Sequence, residues 1–141
     1  MTLEPALWHC PACGRPFAHT GQSHTCVPAT LPSVVMATWP AAQRESAERV
    51  LAFLASLGPV IAEGVSVGVF IRRRGKVAEL RPKARWLSLD LVLPRDAPAP
   101  QVQRFIRMGA GRSLQSIRLV DVSEVDEDVQ GLLTEAYLAA A

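Results

Sequence analysis

Histidine and cysteine are missing from residues 27–141 of this 141-residue chain. Their absence removes the usual general base and the usual thiol nucleophile from most of its length. No apolar run approaches the roughly 18 to 20 residues that span a bilayer, so a transmembrane helix is not expected. The opening Met1-Thr2-Leu3-Glu4-Pro5 has neither the basic nor the apolar region of a secretory signal, which makes a cytoplasmic protein the expectation. No internal repeat and no long low-complexity tract is visible. Gly109-Ala110-Gly111-Arg112-Ser113 hints at a phosphate loop but lacks the Walker lysine, and no named nucleic-acid motif is present. With 49% hydrophobic and 20% charged residues, the chain has the composition of a globular domain with an appendage.

The three cysteines, Cys10, Cys13 and Cys26, all fall within seventeen residues. An odd count beside histidine argues for metal rather than a disulfide framework. In Cys10-Pro11-Ala12-Cys13 the two intervening residues let the backbone turn so that both thiolates converge, and Gly14 relieves the steric cost of that turn. His24-x-Cys26 supplies a second tight pair. The four together predict a tetrahedral Cys3His shell holding one structural Zn2+, with no vacant position for catalysis. His9, adjacent to Cys10, would strain the chelate, whereas His19 stays open as a reserve ligand in place of His24. Thiol redox chemistry is the competing use of Cys-x-x-Cys, but this motif follows no predicted strand and Pro16 obstructs the helix it would need. Trp8 and Phe17 are placed to pack over a metal-organised turn.

Three regions follow: a zinc knuckle over 1–27, a proline-containing linker over 28–39, and an α+β domain over 40–141. Pro28, Pro32 and the lack of charge mark the linker as irregular. Ala47, Val50, Leu51, Leu54 and Leu57 recur at helical spacing between Pro40 and Gly58-Pro59. Alternation then predicts strands at Val65 to Ile71, Val77 to Leu80 and Trp86 to Leu93, joined by turns short enough to force antiparallel pairing. A short helix is expected over Gln101 to Met108, and a fourth strand over 115–122. Ser123 is the expected N-cap of a closing helix whose apolar stripe includes Val125, Val129, Leu132, Leu133, Ala136 and Tyr137. The fold expected is a four-stranded, mainly antiparallel sheet with two longer helices on one face.

Charge is uneven. Residues 72–118 hold twelve basic and three acidic side chains, while residues 119–141 hold six acidic ones and no basic one. Arg72, Arg73, Arg74, Lys76, Arg81, Lys83 and Arg85 fall within fourteen residues, with Trp86 adjoining. Arginine suits phosphate, so nucleic acid or another anionic ligand is the natural partner, with the cations gathered in one patch or divided between two successive turns. A protein-interaction adaptor, docking through the knuckle or the apolar linker, is the alternative. An enzyme is not expected: Asp90 reads as a residue on the polar face of its strand, and Asp121, Glu124, Asp126 and Glu127 read as helix-start charges. A deep cavity lined by Asp90, Arg85 or Tyr137 would favour an enzyme.

Trp8-x-Cys10-Pro11-x-Cys13-Gly14-Arg15-x-Phe17 followed by Gln22-Ser23-His24-x-Cys26 resembles the knuckle that precedes a small bacterial domain of unknown function. The body is similar too, with a helix ending at Gly58-Pro59, strands with basic turns, and a final helix introduced by Asp126 and bearing Ala136-Tyr137. Val77-Ala78 stands where the family pattern has an aromatic residue. The resemblance implies Cys10, Cys13, His24 and Cys26 as zinc ligands, leaves His19 out, and brings no established activity.

Overall fold

A computed structural model describes residues 6–141; the five-residue opening considered above for a secretion signal lies outside them. The knuckle begins with a miniature antiparallel pair, β1 (Trp8–His9) and β2 (Pro16–Phe17). The body is one six-stranded antiparallel sheet with β3 (Ile61–Val65), β4 (Gly68–Arg72), β5 (Lys76–Pro82), β6 (Leu87–Leu93), β7 (Arg104–Gly109) and β8 (Arg112–Leu119). Their spatial order is β3-β4-β5-β6-β8-β7. The helices are α1 (Pro32–Met36), α2 (Ala41–Leu57) and α3 (Glu127–Ala139). The α+β class is as expected, while the sheet has two strands more than the four anticipated.

The core lies between the helices and one sheet face. Val50 and Leu54 of α2 and Leu133 and Ala136 of α3 are fully buried in the cluster that holds Ile71, Leu80, Leu89 and Leu91 from the strands. Alternation puts those strand residues on one face, and it turns Glu63, Phe70, Glu79, Asp90, Ser116 and Arg104 to the other. That second set forms a continuous cross-strand row from β3 to β7. No helix among the described residues is long and apolar enough to cross a membrane.

Four local expectations are corrected. The strand expected from Val65 to Ile71 is a hairpin, because the alternation runs unbroken through a two-residue turn at Ser66-Val67 that lacks any glycine or proline signal. Residues 101–108 form no helix: β7 pairs with β8 through a turn at Ala110-Gly111, and Gly109, Ala110 and Gly111 take φ of 86°, 55° and 73°. That left-handed backbone explains the glycines and replaces the phosphate-loop hint. Residues 28–39 are not an irregular linker. Thr30 bridges to Gly64, α1 follows, and Met36 and Trp39 are buried in the core. Ser123 does not cap the closing helix, since it lies inside a 3-10 turn (Val122–Glu124) that Asp121 caps, and the Asp126 carboxylate accepts from Val129 N–H to start α3.

Candidate metal centre and the open sheet face

The knuckle turn is built by its backbone. Gly14 N–H donates to the Cys10 carbonyl at 2.7 Å, Cys10 N–H donates to the Arg15 carbonyl at 3.0 Å, and Gly14 takes φ 77°. The Cys10, Cys13, His24 and Cys26 donor atoms all lie within 4.8 Å of one another. Cys10 and Cys26 sulfurs are 3.7 Å apart, and Cys13 Sγ lies 3.4 Å from His24 Nε2. Tetrahedral Zn–S bonds of about 2.3 Å give an S···S edge of about 3.8 Å, so this spacing fits one metal ion. His24 Nδ1 lies 2.6 Å from the Gln22 carbonyl. A carbonyl can only accept, so Nδ1 carries the proton and Nε2 keeps its lone pair for a metal. The ring stacks on Phe17, centroid to centroid 4.0 Å, and meets Trp8 edge-on at 6.2 Å. The backbone N–H of Cys13 pulls the Cys10 thiol down to about 6, against burial. Its hydrogen bond with Cys10, followed by burial, pushes the Cys26 thiol up to about 11. A metal ion is bound by the thiolate forms, so loading this cluster would release the thiol protons. His19 is exposed and stands outside the cluster.

The knuckle is docked on the sheet by a carboxylate that sequence reading missed. Glu63, buried on β3, accepts from Arg15 Nε at 2.8 Å and from Arg72 Nε at 2.8 Å. Burial alone would raise its pKa, but the hydrogen bonds from Arg15 and Arg72 outweigh that and hold the carboxyl below the usual range. Arg15 and Arg72 also lie 5.3 and 4.7 Å from the Phe17 ring centroid. The only sequence signal for Glu63 is a lone charge between Ala62 and Gly64.

The basic run is dispersed. Arg72 serves Glu63, Arg73 donates to the Tyr137 carbonyl at the end of α3, and Arg74 donates to the Ala18 carbonyl in the knuckle. Lys76 is ion-paired with Glu79, while Arg81 is paired with Glu79 at 2.6 Å and Asp90 at 3.6 Å. Lys83 and Arg85 remain exposed in the β5–β6 turn. What gathers on the open face is different: Lys83, Trp86, Arg104 and Arg118 line a cavity of about 510 Å³ whose floor includes Asp90 and Ser116. Arg118 lies 4.2 Å over the Trp86 ring. Of Asp90, Arg85 and Tyr137, only Asp90 lines this cavity.

Fold and site define an α+β domain carrying a Cys/His cluster able to hold one metal ion, with a polar cavity on the sheet face that carries Glu79, Asp90 and Ser116. Residues 35–140 match the model of a domain of unknown function, DUF5655, and the chain belongs to that family. The metal cluster precedes the matched segment. No curated protein and no solved structure matches the chain.

Proposed function

We propose that the protein is a zinc-organised binding module whose open sheet face takes an anionic ligand. For the metal, three thiolates and one imidazole fill a tetrahedral zinc shell without a vacancy, which is the donor set of a structural site. Such a site, with three free thiols, suits a reducing compartment such as the cytoplasm. Purified under non-chelating conditions, the protein should carry one zinc equivalent; less than about half an equivalent refutes the site. His19→Ala should keep that zinc and His24→Ala should lose it. The reverse result would assign the fourth ligand to His19.

One observation carries the anionic ligand. Lys83, Arg104 and Arg118 converge on one cavity, and none has an acidic partner among the described residues. Nucleic acid is the leading class, because guanidinium groups match phosphate geometry. The test is binding of fluorescent oligonucleotides and of tripolyphosphate at low and moderate salt. Affinity should fall steeply with salt, and the combined Lys83→Ala, Arg104→Ala, Arg118→Ala variant should lose most of it. No salt-dependent binding to any of these anions sinks the reading.

The reading is of binding, not catalysis. With histidine and cysteine absent from the body, acid–base chemistry would fall to Glu79 and Asp90, and Arg81 engages both. A protein-interaction adaptor is the second reading, favoured by a groove of about 930 Å³ that runs from His24 to the β3–β4 turn and contains Val27, Val34 and Val67. Those three are about half exposed, an unusual concentration for a free surface. A pull-down from the native host that yields no stoichiometric protein counts against it.

A further inference from the structure

The open-face cavity is chemically two-sided. Its rim is cationic, through Lys83, Arg104 and Arg118, and its floor is polar, with Glu79 and Asp90 paired to Arg81, which also lines the cavity. On that floor Asp90 Oδ1 accepts from Ser88 Oγ at 2.7 Å, while Oδ2 lies 3.6 Å from Arg81 Nε. A carboxylate has about four lone-pair sites, so acceptor capacity remains for a donor that enters the cavity. Ser116, paired with Asp90 in the strand register and 8% exposed, makes no side-chain hydrogen bond among the described residues. A bare polyphosphate would satisfy the rim but leave the spare acceptor capacity of Asp90 and Ser116 unused. The complementary ligand therefore has an anionic end and a hydrogen-bond-donating end.

The spacing and the aromatic ring narrow the class further. Asp90 pairs with Ser116, and Ser116 with Arg104, so the acceptor and the outer cation are two strands apart. At the usual strand separation that is roughly 10 Å, room for a ring and a sugar between a donor group and a phosphate. Trp86 flanks this space with Arg118 stacked on it, and bases stack on both aromatic rings and guanidinium planes. A volume of about 510 Å³ lies within the range of small-ligand pockets.

The geometry points to this cavity as the seat of one nucleotide unit, either free or within a single strand. Its base stacks at Trp86 and Arg118, a donor from base or sugar reaches Asp90 and Ser116, and its phosphate sits at the basic rim. The assignment rests on the anionic-ligand reading above and adds the base to it.

The test uses the zinc-loaded full chain and calorimetric or polarisation binding at low salt. The probes are the four nucleoside monophosphates, single-stranded octanucleotides, the matching duplex, inorganic phosphate and tripolyphosphate. A nucleotide or single strand should bind at least about tenfold more tightly than the base-free anions, and single strand more tightly than duplex. Trp86→Ala should weaken nucleotide binding by about tenfold and leave tripolyphosphate binding within about twofold. Trp86→Phe keeps a stacking ring and should retain most of the nucleotide affinity, while the retained tripolyphosphate binding of Trp86→Ala excludes misfolding as the cause of its loss. Octanucleotides binding well above the mononucleotide locate the unit in a strand, and equal binding locates it in a free nucleotide. Base-free anions or duplex binding as tightly as single strands, or a Trp86→Ala variant with unchanged nucleotide affinity, overturns the nucleotide assignment while leaving the anion site standing. No binding of any probe overturns both.

Discussion

Replacing Glu63 by alanine should loosen the knuckle and destabilise the whole domain. Its side chain is 3% exposed, and the two guanidinium groups it holds, Arg15 and Arg72, are 9% and 12% exposed. Alanine would leave two nearly desolvated cations side by side. Removing one partner of a buried ion pair costs about 3 to 5 kcal/mol, a large share of the total stability of a small domain. With a urea m-value of about 2 kcal/mol/M, the midpoint should fall by about 2 M. Urea titration of the zinc-loaded protein measures it. Replacing the trio together, as Glu63→Leu with Arg15→Met and Arg72→Met, should recover most of the loss, since the apolar set needs no desolvated charge. The pH dependence follows from the same cluster. The folded carboxyl lies below its ordinary 4.5, so its contribution is complete above that value and is lost as pH falls through the lower folded one. Wild type should therefore lose stability more steeply below about pH 4.5 than Glu63→Gln, and the comparison cancels the acid release of metal common to both. A Glu63→Ala loss under about 1 kcal/mol would refute the reasoning, because it would give the cluster the value of an exposed pair.

Gly68→Ala should be among the worst small substitutions in the sheet, since the added methyl would collide with the Leu80 backbone carbonyl on β5. A loss above about 2 kcal/mol in thermal or urea unfolding is expected, and an unchanged midpoint would contradict the β4–β5 packing. Gln115, fully buried on β8, accepts from Ala99 N–H at 2.8 Å and donates to the Ala97 carbonyl at 3.0 Å. Gln115→Ala leaves both backbone groups unpaired at about 1 to 3 kcal/mol and should speed hydrogen exchange at the Ala99 amide; unchanged exchange would show that the glutamine does not hold that loop.

Long periodic segments were legible in the sequence, and so was the metal cluster. α2 and α3 repeat their apolar stripe over several turns, and β6 alternates Leu87, Leu89, Leu91 and Leu93 without interruption. The Cys3His set is local, so spacing alone brings the donors together, and the His24 tautomer only sharpens the choice over His19. β7 was lost because Val102, Phe105 and Ile106 fit a single helical turn as well as a strand, and because Gln101, with φ 73°, makes a left-handed turn without a glycine to announce it. The basic face was lost for a different reason. Whether an arginine is committed depends on a register partner far along the chain: Glu63 takes Arg72, and Glu79 and Asp90 take Arg81. Arg104 and Arg118 meet only because β7 folds back on β8, and a helix at 101–108 hid that pairing.

The uneven charge along the chain has a structural resolution that its totals conceal. The acidic tail neutralises the basic segment at one point, where Glu135 reaches back to Arg95 at 2.8 Å, while Asp121 and Asp126 are engaged in capping the 3-10 turn and α3. Further neutralisation comes from within the sheet, where Glu63, Glu79 and Asp90 absorb Arg72, Lys76 and Arg81. Lys83, Arg104 and Arg118 are left without acidic partners among the described residues, around a cavity whose two carboxylates are already paired with Arg81. The unpaired cations are therefore confined to one part of the face, beside carboxylates that are already paired, rather than spread evenly over it. A uniform patch would reward any polyanion in proportion to its charge, whereas this one favours a ligand that donates at one end and carries phosphate at the other.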